Sequence, residues 1–230
     1  MTPNRKTRLA SVALLGAVSL IGLSACGNGE TATTPPPTPD GGATAAPNGA
    51  TAAPNGTTAD PGGADAAATA TLQNAEGAEV GTVTFTETDG ALQIEATVQD
   101  LEAGFYGFHI HGIGVCEPDS AAPNNPENTG DFLSAGGHLG ADAGDHPEHQ
   151  GDLPSLLVMD DGEGRLLFTT DRVTMDDLTD DDGAAMMVHG DPDNFANIPE
   201  RYAAEGADDD TLGTGDAGSR LACGVIEAAE

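Results

Sequence analysis

Glu79-Val80-Gly81-Thr82-Val83-Thr84-Phe85-Thr86-Glu87, then Thr88-Asp89-Gly90, then Ala91-Leu92-Gln93-Ile94-Glu95-Ala96-Thr97-Val98-Gln99 is the stretch that decides the fold. Two alternating, β-branched runs flank a Thr-Asp-Gly turn signal, which predicts a β-hairpin. Similar runs recur outward from it: Ala70 to Gln73 before it, then Gly104 to His111, Ser155 to Val158, Arg165 to Thr170, Ala185 to His189 and Leu221 to Glu227. Eight strands with no sustained helical period predict an all-β sandwich or flattened barrel. Two connections, Gly112 to Pro154 and Gly190 to Arg220, are too long to be idle and are expected to be functional loops.

All six histidines lie between Phe108 and Gly190, on these strands and in the first long connection. His109 and His111 are two apart, and residues i and i+2 of a strand project to one face, so they deliver two imidazoles to one point. His138, His146 and His149 with Asp152 follow, and then His189. Imidazole nitrogen and carboxylate oxygen suit Cu(II) and Zn(II) better than soft thiolate sites or hard calcium cages. The pattern therefore predicts a two-metal site.

The first residues read as an export signal. Arg5, Lys6 and Arg8 precede an apolar run from Leu9 to Leu20 that is short for a bilayer span. The run ends in Leu23-Ser24-Ala25-Cys26, which resembles a bacterial lipobox in which Cys26 is acylated; an ordinary signal peptide with a chance cysteine is the alternative. This divides the chain into a lipoprotein signal peptide (1–25), an Ala/Thr/Pro/Gly linker (26–68) and one domain (69–230). The linker repeats Ala-Ala-Pro-Asn-Gly at Ala45 and Ala52 and has almost nothing to bury, so it is expected to be a disordered tether reaching about 35 Å.

The 230-residue chain carries 38 acidic residues against 7 Lys and Arg, a formal net charge of -31. Three of the basic residues lie in the leader. No basic footprint for phosphate contacts remains, which excludes nucleic-acid binding. If Cys26 carries lipid, Cys116 and Cys223 are left as a disulfide pair in an oxidising compartment, or else as two unpaired buried thiols.

Five motifs then stand in order: GFHIHGIGVC (Gly107 to Cys116), SAGGH (Ser134 to His138), GDLP (Gly151 to Pro154), MVHG (Met187 to Gly190) and GDAGSRLACGVI (Gly215 to Ile226). With them the chain from Thr69 onward resembles the copper/zinc superoxide dismutase family, in its bacterial secreted, lipoprotein-type branch. The resemblance implies an eight-stranded Greek-key β-barrel. It implies copper on His109, His111, His138 and His189, and zinc on His138, His146, His149 and Asp152, with the His138 imidazolate bridging the two dications. It further implies that Asp193 links a copper histidine to a zinc histidine, that Arg220 holds the substrate anion, and that Thr214 flanks the same channel. For three of these the residues alone leave a plainer reading open: a solvated acidic loop at His146 and His149, a turn-forming Asp193, and an Arg220 paired to an acid. Tyr106 stands where many members have His. Only Pro147 and Glu148 separate the two zinc histidines, where most members have a longer insertion, and Asp208 to Asp210 replace the steering lysines of many relatives.

The implied function is dismutation of superoxide to oxygen and hydrogen peroxide, protecting the cell envelope from extracellular superoxide, by an exported protein anchored to the membrane through lipid on Cys26. The rival readings are a copper-binding or delivery protein on the same barrel, and an acidic structural lipoprotein without metals. Oligomeric state cannot be read from the sequence.

Overall fold

The computed structural model describes residues 66–229. The expected signal peptide, the Cys26 lipidation site and nearly all of the expected linker lie outside the described residues.

The strands are β1 (Ala68–Asn74), β2 (Glu79–Thr88), β3 (Ala91–Val98), β4 (Gly104–Tyr106), β5 (Phe108–His111), β6 (Ser120–Ala122), β7 (Asn125–Gly130), β8 (Leu156–Val158), β9 (Gly164–Thr170), β10 (Ala185–His189), β11 (Arg220–Val225) and β12 (Glu227–Ala228). Two short helices, α1 (Met175–Leu178) and α2 (Asp209–Thr214), lie in connections. One antiparallel sheet runs β4-β8-β9-β3-β2-β1-β11-β10-β5, a nearly closed nine-stranded barrel; β12 pairs with β1, and β6 with β7 forms a separate hairpin.

β2 and β3 form the predicted hairpin, in register from Gly81↔Val98 to Thr88↔Ala91. Asp89 and Gly90 both have positive φ, at 46° and 87°, the turn geometry that matches the twist of the flanking strands. Alternation then sends Val83, Phe85, Leu92, Ile94, Ala96 and Val98 into the core. Burying one such large apolar side chain contributes roughly 1.5–3 kcal/mol. The exposed Arg165–Glu95 pair at 2.7 Å across β9 and β3 contributes only about 0–1 kcal/mol, so burial holds this face.

The expected single strand over Gly104 to His111 is divided. Gly107 breaks it, because its N–H donates to Asp191 O at 2.9 Å and its carbonyl accepts from His189 N at 2.8 Å instead of continuing the β4–β8 ladder. β4 therefore pairs with β8 at one end of the sheet, and β5 with β10 at the other. One chain segment thus supplies both edges and brings the barrel to near closure. A side chain at Gly107 has no room, since a Cβ there would lie 2.5 Å from that of Ala217.

The first long connection is not without regular structure: it carries the exposed β6–β7 hairpin, which has no alternating apolar pattern to announce it. Cys116 in this connection is bonded to Cys223 on β11, with Cα atoms 5.7 Å apart across 107 residues of sequence. Closing so long a loop stabilises a fold by up to about 4.7 kcal/mol in chain-entropy terms. Phe132, Ala135, Ala185, Met187 and Cys223 pack together beside it, as a second small core on the outside of β10 and β11.

Candidate metal centre

Strand register creates the centre. On β5, Phe108 and Ile110 enter the barrel core, which turns His109 and His111 outward. β10 pairs Met187 with His109 and Ala185 with His111, and residues directly opposite share a face. His189, two residues beyond Met187, therefore faces the same way. The outer face is covered by the two long connections, so His109, His111 and His189 are 0%, 1% and 4% exposed.

The first connection docks on the free side of β5. Single β-bridges join His111 to His138 and His109 to Asp152. Ile110 N donates to Gly151 O at 2.9 Å, and Leu139 N to Ile110 O at 2.8 Å. A Cβ on Gly151 would run into the Ile110 carbonyl, so this approach requires glycine. His138, His146, His149 and Asp152 are thereby buried against the first three histidines.

Five of the six imidazoles have one nitrogen held by a protein acceptor on the outer side. His111 Nδ1 donates to Gly136 O at 2.9 Å, His189 Nδ1 to Gly218 O at 3.4 Å and His149 Nε2 to Gly144 O at 3.0 Å. Asp193 takes the other two, with Oδ2 at 2.9 Å from His109 Nε2 and Oδ1 at 2.9 Å from His146 Nε2. The remaining nitrogens turn inward. His109 Nδ1 and His146 Nδ1 are buried without a hydrogen-bond partner; the latter lies 3.0 Å from Asp152 Oδ1 but is poorly aligned with it. His111 Nε2 and His189 Nε2 face each other at 3.3 Å. With the Nδ1 protons given to carbonyls, these are two lone pairs in contact. A buried unsatisfied polar atom costs about 1–3 kcal/mol, and the orphaned His109 Nδ1 beside the facing pair of His111 and His189 calls for a cation.

His138 is the exception, since neither of its nitrogens reaches an outer carbonyl. Its Nδ1 lies 2.6 Å from Asp152 Oδ1 and 3.4 Å from His149 Nδ1, while its ring meets that of His111 on the other side at 5.1 Å between centroids. Among the described residues, ligand atoms of His109, His138, His146 and Asp152 lie within 4.8 Å of one another, and so do those of His111, His138 and His189. His138 belongs to both groups. His109 sits between them, its ring 4.2 Å from that of His138 and 4.8 Å from that of His189. His149 falls outside the distance grouping, yet its Nδ1 is 3.1 Å from Asp152 Oδ2.

The electrostatics divide the same way. Burial pulls His111 and His189 well below the usual histidine value, helped by Arg220 and the neighbouring imidazoles. Burial also brings His138 down to about 4, although Asp152 opposes it; a neutral His138 protonated at Nδ1 still donates to that carboxylate. At His146 burial pulls downward too, but Asp152 and Asp193 win and raise it to about 9. Burial would raise the two carboxyls, but contacts with His138 and His146 at Asp152, and with His109 and His146 at Asp193, hold both well below the usual carboxylate range.

Sequence reasoning missed the neighbours that fix this arrangement. The carbonyls of Gly136, Gly218 and Gly144 carry no sequence signal, because any residue has one. Gly215, with φ +61°, lies so close that a Cβ there would collide with Asp193 Oδ1 and come within 2.5 Å of His146 Nε2. Phe195 stacks on His146 with centroids 6.2 Å apart, held by its N–H donating to Asp193 Oδ1 at 2.7 Å. Tyr106 takes no part, since its hydroxyl donates to Glu102 O at 2.6 Å.

A channel of about 430 Å³ leads to the His111, His138 and His189 side, lined also by Asp210, Thr214, Asp216 and Arg220. Arg220 Nη1 donates to Phe132 O and Nη2 to Gly136 O, both at 2.6 Å, so carbonyls rather than a carboxylate hold its guanidinium. Burial lowers it to about 10, which leaves it cationic at neutral pH.

The profile of the copper/zinc superoxide dismutase (SODC) family matches residues 79–226. The superoxide dismutase (Cu-Zn) of Mycolicibacterium paratuberculosis is 42% identical over 231 residues, 96% of this chain and 98% of that protein. Its counterpart in Escherichia coli K12 is 37% identical over 158 residues, 66% of this chain and 80% of that protein. Among solved structures, the clock protein EA4 is similar with a TM-score of 0.54 and 26% identity, over 71% of this chain and 96% of that one. A SOD-like protein from Bacillus subtilis is similar with a TM-score of 0.51 and 27% identity, over 68% and 96%.

The metal-free protein should be most stable near pH 6.5 as far as this cluster governs it. His111, His138 and His189, kept neutral when folded, are protonated in the unfolded chain below pH 6.5, so stability falls with pH by up to about 1.4 kcal/mol per unit for each. His146, raised to about 9, contributes stability that is full below pH 6.5 and lost as pH rises through 9. Urea unfolding of metal-free protein from pH 4 to 9.5 checks this; a flat profile would contradict it.

Proposed function

The chain belongs to the copper/zinc superoxide dismutase family and is an enzyme of that type; we propose that it works outside the cytoplasm, tethered to a membrane through lipid on Cys26, and clears superoxide at the cell envelope. The lipobox-like Leu23-Ser24-Ala25-Cys26 and the polar linker after it support the anchor. Reading β4 and β5 as two halves of one bent strand brings the barrel to the eight-stranded Greek-key form of the family.

The one observation that carries the activity is the shared His138, which has nitrogens directed to both halves of a cluster that otherwise leaves its lone pairs facing inward. By this accounting His109 Nδ1, His111 Nε2, His138 Nε2 and His189 Nε2 would hold copper, and His138 Nδ1, His146 Nδ1, His149 Nδ1 and Asp152 would hold zinc. Copper supplies the one-electron chemistry that turns two superoxide anions and two protons into oxygen and hydrogen peroxide.

The residues do the rest. Arg220, fixed by two carbonyls at the channel wall, binds the anion and orients it toward His138. His138 Nε2 would carry one of the two protons the reaction consumes on the half of the cycle in which it does not hold copper. Asp193 keeps a ring proton of His109 and of His146 on Nε2, which makes both Nδ1 atoms the metal-facing positions, His146 giving up its second proton to an arriving dication. A delivery protein would have no need of this channel or of a buried cation at its end.

His111→Ala should abolish superoxide-dismutating activity, and His149→Ala should leave part of it; an unaffected His111→Ala enzyme would contradict the copper assignment. The rate should stay flat or rise as salt is added from low ionic strength, because Asp210 and Asp216 line the channel of a chain with net charge -31. A steep fall would reveal attractive steering. Cys26→Ser should release the protein from the membrane fraction, and an unchanged distribution would remove the lipid anchor.

A further inference from the structure

We propose that Arg172 is a positioning residue for the acid-rich half of the centre, strapping the link between His146 and His149 to the barrel so that both ring Nδ1 atoms stay turned inward. The inference rests on the reading that this half takes zinc.

The link is short, and its ends are tied through their N–H groups, His146 N donating to Leu212 O at 2.7 Å and His149 N to Asp152 Oδ2 at 2.9 Å. Pro147 has no N–H, and within the link Glu148 N donates to Asp145 O at 2.8 Å. The Pro147 carbonyl meets no backbone donor among the described hydrogen bonds, the His149 carbonyl accepts from Asp152 N at 3.2 Å, and the Arg172 guanidinium meets both. Its Nη2 donates to His149 O at 2.6 Å, and Nη1 and Nη2 donate to Pro147 O at 3.3 Å. The strap is reciprocal, because Gln150 Nε2 donates to Arg172 O at 3.4 Å.

The far end of the strap is fixed. Arg172 N donates to the Thr170 hydroxyl at 3.2 Å, where β9 ends. Val173 is 1% exposed in the core, and Thr174 caps α1 in a reciprocal box with Asp177. A planar fork with several donors can hold two carbonyls at once, which an ammonium cannot do in one fixed geometry.

The choice of partner is informative. In a chain with 38 acidic residues, every side-chain hydrogen bond described for Arg172 goes to a neutral carbonyl of this one link. Charge alone would make such an arginine a poor neighbour for a zinc site, since it repels a dication. Removing the charge should then tighten zinc binding, whereas removing a strap should loosen it. The sign separates the two explanations.

The test is titration of metal-free full-length protein with Zn²⁺ against a chromophoric chelator, and with Cu²⁺ in parallel. Arg172→Gln should bind zinc roughly 10- to 100-fold more weakly, the range found when outer partners of metal ligands are lost, with copper affinity unchanged. Arg172→Lys should fall between it and wild type, and Arg201→Gln, which removes an equal charge beside Tyr202, should match wild type. Zinc binding in Arg172→Gln as tight as wild type or tighter, or equal loosening in Arg201→Gln, would overturn the strap alone. If Arg172→Gln does not fold, Arg172→Lys decides, because wild-type zinc affinity there would overturn the strap as well. A wild-type chain that takes up no zinc would overturn both the strap and the zinc reading.

Discussion

A buried imidazole can give its proton to only one acceptor, and in this protein that acceptor nearly always lies on the outside. Gly136, Gly218 and Gly144 supply carbonyls and Asp193 supplies two carboxylate oxygens, so the opposite nitrogens of five rings turn inward. The rest of the structure serves this constraint. Strand register sets three rings on one face, the first connection lays three more against them, and the disulfide ties that connection to β11. The arrangement is costly without an ion, because lone pairs at 3.3 Å repel and orphaned nitrogens have lost water.

The fold class was legible because its driving force is periodic. Burial alternates along β2 and β3 as the apolar residues do, and Asp89-Gly90 has the positive φ that its turn needs. The break at Gly107 was not legible, since nothing in Gly104 to His111 signals that the ladder partner changes; that is decided by Asp191 and His189, more than eighty residues away. The β6–β7 hairpin escaped for the opposite reason: its exposed polar residues have no pattern to read. In the centre, side chains with distinctive chemistry stood out from their spacing, while the carbonyls, Gly215 and Phe195 that orient them did not. Arg172 gave no signal at all, because what marks it is where its donors go.

Charge works on two scales here. Over the whole chain the excess of acid repels an anion, yet inside the channel a single guanidinium, clasped by the carbonyls of Phe132 and Gly136, stays cationic despite burial. Gly136 O accepts from both Arg220 and His111, so the guanidinium of the channel and a histidine of the centre share one anchor. Asp152 and Asp193 give the opposite half of the cluster its negative character, which suits a second, redox-inert cation.

The divided segment at Gly107 places the centre on the seam where the two edges of the sheet come together. His109 and His111 lie on the half of the segment that has crossed to β10, and His189 N bonds back to Gly107 itself. The glycine that carries the chain from one edge of the sheet to the other therefore also buttresses the centre, since a side chain there would press on both His109 and His189.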